Sequence, residues 1–158
     1  MLLLALLATL GAGLYRAWSD GRFRGAHPVR GVATEASEEL SSAVDPVQST
    51  RSVLAGTAYD EQRGSRATLL QFSSAFCAPC RATRQTLAHV SARVPGVVHV
   101  EVDAEHHLDL VRRLGVLRTP TTLVLDGHGC ELSRAAGAPR AEQVLAAVRA
   151  TPSGGHLK

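Results

Sequence analysis

Hydrophobic and polar positions divide the chain into three stretches. Residues 1–15 carry no charged side chain and are dominated by Leu and Ala, and Arg16 and Trp18 close the run. Between 19 and 50, Gly, Ser, Pro, Glu and Ala follow one another without sustained periodicity, which reads as a flexible tether, with at most a short helical pass around Thr34–Leu40. From Arg51 onward regular patterns return. The run Thr68–Ser73 suits a buried strand, and Leu87, Val90 and Val94 recur at helical spacing until Pro95-Gly96 stops them. The β-branched run Val97–Val102 predicts a second strand. Leu108, Val111 and Leu114 predict a second helix ending at Gly115. Thr121–Leu125 and Glu131–Ala136 flank a Gly-containing turn, as a hairpin would, and Val144, Leu145 and Val148 define a last helix beginning near Pro139. Strand-helix-strand-helix-strand-strand-helix is an α/β order, with a parallel pair feeding an antiparallel hairpin.

Composition narrows the class. The 158 residues are 45% hydrophobic and 20% charged, a globular balance. Only six residues are aromatic and three of them precede residue 25, so the downstream core must be built from Leu, Val and Ala. The net charge of +3 comes from arginines scattered along the chain, with Lys158 the one lysine and no Ile or Asn. That bias looks like GC-rich coding rather than a nucleic-acid footprint, and no nucleic-acid partner is expected.

The first stretch changes the picture. Fifteen to eighteen helical residues span roughly 22–27 Å, slightly short of a ~30 Å hydrocarbon core. A membrane anchor and a signal-like h-region both fit; the missing basic n-region favours an uncleaved single-pass anchor. Arg16, Arg22, Arg24 and Arg30 oppose the single acid Asp20 beyond it, which by the positive-inside rule places the rest of the chain on the cytoplasmic side of the cell membrane. The expected organisation is an anchor over 1–18, a linker over 19–50, a folded domain over 51–151 and a tail over 152–158.

Three cysteines are too few, and too odd a number, for a disulfide scaffold. Cys77 and Cys80 form a C-x-x-C pair where the first strand gives way to the first helix. This is the signature of a dithiol redox site. At the helix start, unpaired N–H groups and the helix dipole would stabilise a Cys77 thiolate, while Cys80 lies one turn in and less exposed. Pro79 is tolerated in the first turn and stiffens it.

With Cys77-Ala78-Pro79-Cys80, Val100-Glu101-Val102-Asp103, Leu114-Gly115-Val116, Arg118-Thr119-Pro120-Thr121 and Gly137, residues 65 to 150 resemble the thioredoxin family. The resemblance implies a thioredoxin fold, a central mixed sheet flanked by helices. It implies a protein-disulfide oxidoreductase acting through Cys77 and Cys80, with no cofactor and no metal. Its partners would be protein thiols or disulfides and a further redox partner. Pro120 would be the cis-proline facing the dithiol, and Thr119 beside it would offer backbone groups to an extended substrate. Three positions depart from the family pattern. Phe76 replaces the usual tryptophan before the first cysteine, Gln71 replaces a buried acid, and His99 replaces that acid's lysine partner. Phe76, Thr119 and Pro120 are thus the candidate substrate contacts, and Gln71 and His99 the candidates for proton handling. Gln71 can hydrogen-bond but carries no proton, whereas His99 either transfers one or is a backbone-bonded strand residue.

Blander roles compete elsewhere. Cys130 and His128 would complete a zinc site with the C-x-x-C pair only if the hairpin approached the helix start, so Cys130 is expected to be an unpaired turn thiol. His106 and His107 read as solvated, and His89 with the first-helix arginines as an exposed face. A peptide-binding module without catalysis is the alternative from another class.

Overall fold

Strand β2 (Ala67–Ser73) is buried at all seven positions, because it is flanked by strands on both edges and covered on both faces. A computed structural model of the chain describes residues 21–25 and 52–152, with the single helical positions Thr9, Gly11 and Gly13. The other elements are β1 (Arg24–Gly25), α1 (Ala78–Arg93), β3 (Val97–Asp103), α2 (Leu108–Arg113), β4 (Thr121–Asp126), β5 (Glu131–Ala136) and α3 (Ala141–Arg149). One sheet takes the order β1-β5-β4-β2-β3. β2 runs parallel to β3, from Ala67 opposite Val97 to Ser73 opposite Asp103, and antiparallel to β4, with Phe72 opposite Thr121.

Alternation along β2 splits the interior in two. Leu70 and Phe72 join Val100, Val102, Leu110 and Leu123 beneath α2. Ala67 and Leu69 turn the other way, onto Leu87, Val90, Val144 and Val148 of α1 and α3. Period-2 strands between helices produce this division without further instruction. Gln71 and Ser73 share the α1 side, and burial of Gln71 obliges its amide to find partners inside.

Strands and helices from 67 onward occupy the stretches that their patterns predict, with small shifts. In α2 the buried residues are Leu110 and, just past its end, Leu114, while Leu108 is half exposed. The three-residue recurrence of Leu108, Val111 and Leu114 was therefore a poorer guide than the i, i+4 pair. Residues 52–66 show no such pattern, yet they wrap the α2 face. Leu54 is fully buried there, with Val53 and Tyr59 beside it, and a single 3₁₀ turn covers Asp60–Gln62.

The N-terminal part gives one correction. Residues 21–25, expected to belong to a flexible linker, lie along the outer edge of β5. Arg24 pairs opposite Arg134 and Gly25 opposite Ser133, and Phe23 packs against the α1–α3 core. A free edge of unpaired N–H and C=O groups is a template for such pairing, and composition alone does not register it. The expected anchor over 1–18 apart from Thr9, Gly11 and Gly13, the rest of the linker including Thr34–Leu40, and the tail beyond Pro152 lie outside the described residues. Among the described residues no helix is long and apolar enough to cross a membrane.

Candidate functional site

Cys77 is the N-cap of α1, and the strand-to-helix turn after β2 delivers it there. Its backbone is extended, its sulfur accepts the Cys80 N–H at 3.1 Å, and Pro79 sits in the first turn where its missing N–H costs nothing. Cys77 and Cys80 are joined in a disulfide, with Cα atoms 5.2 Å apart. Exposure separates them: Cys77 is partly exposed, and Cys80 is 1% exposed. In the reduced state the Cys80 N–H and the dipole of a sixteen-residue helix both favour a thiolate on Cys77.

Beneath Cys80 lies a short polar chain. The Gln71 amide nitrogen donates to the Cys80 carbonyl at 3.0 Å, and the Gln71 carbonyl faces His99 Nε2 at 3.0 Å. A carbonyl only accepts, so the Cys80 contact fixes which end of the amide faces inward. It follows that His99 Nε2 carries the hydrogen. Burial lowers the His99 pKa from its ordinary 6.5; the Glu101 charge opposes this and Arg84 adds to it. His99 is therefore a neutral donor to Gln71, and Gln71 stands between it and Cys80.

An open cleft of about 390 Å³ reaches both cysteines from the β3 side. Ser73, Arg81, Arg84 and Glu101 are among the residues that line it. Arg84 grips Glu101 with two bonds, at 2.5 and 2.7 Å, and the Ser73 hydroxyl donates to the same carboxylate. Burial pushes the Glu101 pKa up, but these hydrogen bonds and the Arg84 charge outweigh it and hold the carboxyl below its ordinary 4.5. Glu101 is thus a fixed negative charge, and nothing in the sequence pattern had singled it out as part of the site.

The other flank is apolar and faces the Thr119–Pro120 loop. That peptide bond is cis, Pro120 is buried, and Gly137 N–H donates to the Pro120 carbonyl at 2.8 Å. The Ser74 and Thr119 hydroxyls meet at 3.1 Å, tying this loop to the turn that carries the cysteines. Phe76 is 99% exposed and Leu117 96% exposed. Thr119 and Pro120 thus lie on the β4 side of the dithiol, Gln71 lies beneath it with His99 toward β3, and Phe76 projects from the turn that carries the cysteines.

Three blander expectations are revised or located. His107 is half-buried rather than fully solvated: its Nε2 meets the Tyr59 hydroxyl at 2.8 Å, and the rings pack edge to face. His106 is exposed beside Asp103, at 2.9 Å. Cys130 sits in the β4–β5 turn, at the end of β4 opposite Pro120, with its N–H on the Asp126 carboxylate. His128 shares that turn.

Two outcomes follow from the chain beneath Cys80. A group with a lowered folded pKa binds protons less readily than in the unfolded chain, so stability falls as pH drops below about 6.5. Urea midpoints should decline between pH 7 and pH 5, above the range where Glu101 begins to titrate, and His99→Gln should flatten that segment. Gln71→Asp would put a carboxyl of raised pKa under Cys80, able to pass a proton near neutral pH. It should speed disulfide reduction by ~10-fold. Loss of the amide's bonds should cost about 1–3 kcal/mol, a cost that grows as pH rises past the unfolded carboxyl pKa. Stopped-flow reduction of a model disulfide and urea titration at matched pH measure the two effects.

The fold recurs in known proteins. The thioredoxin family model matches residues 52–150. Thioredoxin H5 of Oryza sativa subsp. japonica is 33% identical over 60 residues, 38% of this chain and 44% of the rice protein. Thioredoxin domain-containing protein 2 of Homo sapiens is 33% identical over 61 residues, 39% of this chain and 11% of the human protein. The chain therefore spans less than half the length of these relatives. Among solved structures, thioredoxin NaTrxh from Nicotiana alata superposes with a TM-score of 0.50 at 25% identity, over 56% of this chain and 76% of its own. Spinach chloroplast thioredoxin F gives 0.52 at 19% identity, over 63% and 88% respectively, a likeness of fold. With the family match covering most of the chain and the dithiol seated at the start of α1, the protein belongs to the thioredoxin family.

Proposed function

We propose that the protein is a membrane-tethered thiol–disulfide oxidoreductase whose Cys77–Cys80 pair exchanges disulfides with protein substrates. The observation that carries this reading is the asymmetry of the pair: Cys77 partly exposed at the helix cap and Cys80 buried one turn in. In the reducing direction the Cys77 thiolate attacks one sulfur of a substrate disulfide. The S–S bond breaks, a mixed disulfide forms, and the first substrate thiolate leaves and takes a proton from solvent. Cys80 then gives its proton to water in the cleft and attacks the Cys77 sulfur, releasing the second thiolate. The substrate gains two electrons and the pair is oxidised, to be reduced again by an external dithiol.

The remaining groups have supporting roles in this reading. Thr119 and Pro120 hold an extended substrate strand, with Phe76 against its apolar side chains. Because Gln71 holds no transferable proton and separates His99 from Cys80, water in the cleft is the nearer proton carrier. The charges of Arg81, Arg84 and Glu101 border that path. A binding module that uses the same groove without exchange is the alternative reading, and the two cysteines separate it from the first. Cys77→Ser should bring reduction of a protein disulfide to the uncatalysed rate. Cys80→Ser should accumulate a mixed disulfide between Cys77 and the substrate, seen on a non-reducing gel. Unchanged client capture by Cys77→Ser, with no mixed disulfide in Cys80→Ser, would establish the binding module instead.

Tethering rests on residues 1–18 and the sided charge beyond them. Arg16, Arg22, Arg24 and Arg30 against Asp20 favour the cytoplasmic over the outer face for the folded domain. Protease added to intact spheroplasts should leave residues 51–158 uncut, and digestion there would place the domain on the outer face.

A further inference from the structure

The docked segment 21–25 fixes where the tether leaves the domain. β1 runs antiparallel to β5, so the chain traced back from Gly25 to Gly21 follows β5 from Ser133 toward Ala136. Ala136 lies opposite Thr121, the residue after Pro120, and therefore at the dithiol end of the sheet. Gly21 N–H donates to the Ala136 carbonyl at 2.9 Å, and Arg118 of the cis-proline loop donates to the same oxygen at 3.0 Å. The tether thus joins the domain beside the substrate loop, about 14 Å across three strand spacings from β2.

Reach converts this attachment into an orientation. A free linker over 19–50 would give an end-to-end distance of roughly 30 Å with no preferred direction. Docking leaves only Ser19 and Asp20 between Trp18 and Gly21, three Cα–Cα steps that span at most about 11 Å. Residues 26–51 then connect Gly25 to Ser52 and no longer separate the domain from the apolar segment. The rim nearest the tether also has the composition of a surface made for a lipid interface. Phe76 and Leu117 are almost wholly exposed at this end, and exposed Arg81 at the start of α1 and Arg118 of the cis-proline loop belong to the same end. Asp103 and Glu105, acids of the same end, lie on the β3 side, away from the edge where the tether docks, and Glu105 accepts from the Ala75 N–H beside Phe76 at 3.4 Å.

Building on the tethered reading above, we propose that pairing of residues 21–25 with β5 turns the dithiol end of the domain toward the bilayer. Phe76 and Leu117 meet the lipid interface, and the exchange partners are disulfides in polypeptide lying at that surface. Disulfides carried well above the membrane are out of reach.

The test uses the full chain reconstituted in vesicles of phosphatidylcholine and phosphatidylglycerol containing a nitroxide-labelled lipid. Trp18 is the one tryptophan, so Trp18→Phe gives a silent background for a reporter. Leu117→Trp places it on the rim and His128→Trp at the opposite end of β4. Quenching should be several-fold stronger for Leu117→Trp. A Cβ at Gly21 would lie 2.3 Å from the Ala138 carbonyl oxygen, at a φ of +76°. Gly21→Val should therefore release the segment and erase the difference while the protein still floats with the vesicles. Equal quenching of the two reporters, or a difference that survives Gly21→Val, overturns the orientation with the tether intact. Failure of the unaltered chain to float overturns the tether itself, and with it the inference.

Discussion

Strand β2 is hydrogen-bonded along both edges and covered on both faces, and every group at the reactive end takes its position from it. Because β2 cannot shift without breaking both ladders, the turn after Ser73 delivers Cys77 to the start of α1 at a fixed height. The same pairing sets Thr121 opposite Phe72, so the cis-proline loop arrives level with that turn. Parallel pairing with β3 brings His99 and Glu101 onto the α1 side with Gln71 and Ser73. A dithiol at a helix start would be chemically poised in isolation; the central strand supplies its surroundings.

Those surroundings treat the two cysteines differently. Cys77 gains the helix dipole, an N–H on its sulfur and a view of solvent. Cys80 is packed over an amide that bonds its carbonyl and cannot ionise. A carboxylate in place of Gln71 would be a buried charge; the amide satisfies the same polar positions without that penalty. His99, desolvated and bonded to Gln71, holds the amide in one orientation. Polar chemistry that can still ionise lies to one side, in the cleft where Arg84 and Ser73 hold Glu101 as a carboxylate. Separation of a fixed-charge flank from an apolar flank gives solvent and substrate different approaches to one disulfide.

Edge pairing extends the same logic beyond the core. β5 would otherwise present an open ladder, and residues 21–25 cover it at the end nearest Pro120. The carbonyl of Ala136 receives donors from both Gly21 of this segment and Arg118 of the cis-proline loop. A segment with no periodic pattern thereby becomes part of the reactive end.

Much of this was legible in the chain. The apolar run 68–73, the β-branched run 97–102, helical spacing after Cys80 and the Gly-marked hairpin mark their elements because burial on one face or two selects residue type and period locally. Cys77 and Cys80 are legible for a similar reason, since their spacing and their place at a strand-to-helix border are both local. Leu54, the Tyr59–His107 contact and β1 carry no such signal. Each exists because a surface made elsewhere in the chain, the α2 face or the β5 edge, had to be covered. The partners of Gln71 were likewise settled only in three dimensions. Sequence could place a neutral amide at that position, but the tautomer of His99 and the direction of the amide follow from the Cys80 carbonyl that lies above it.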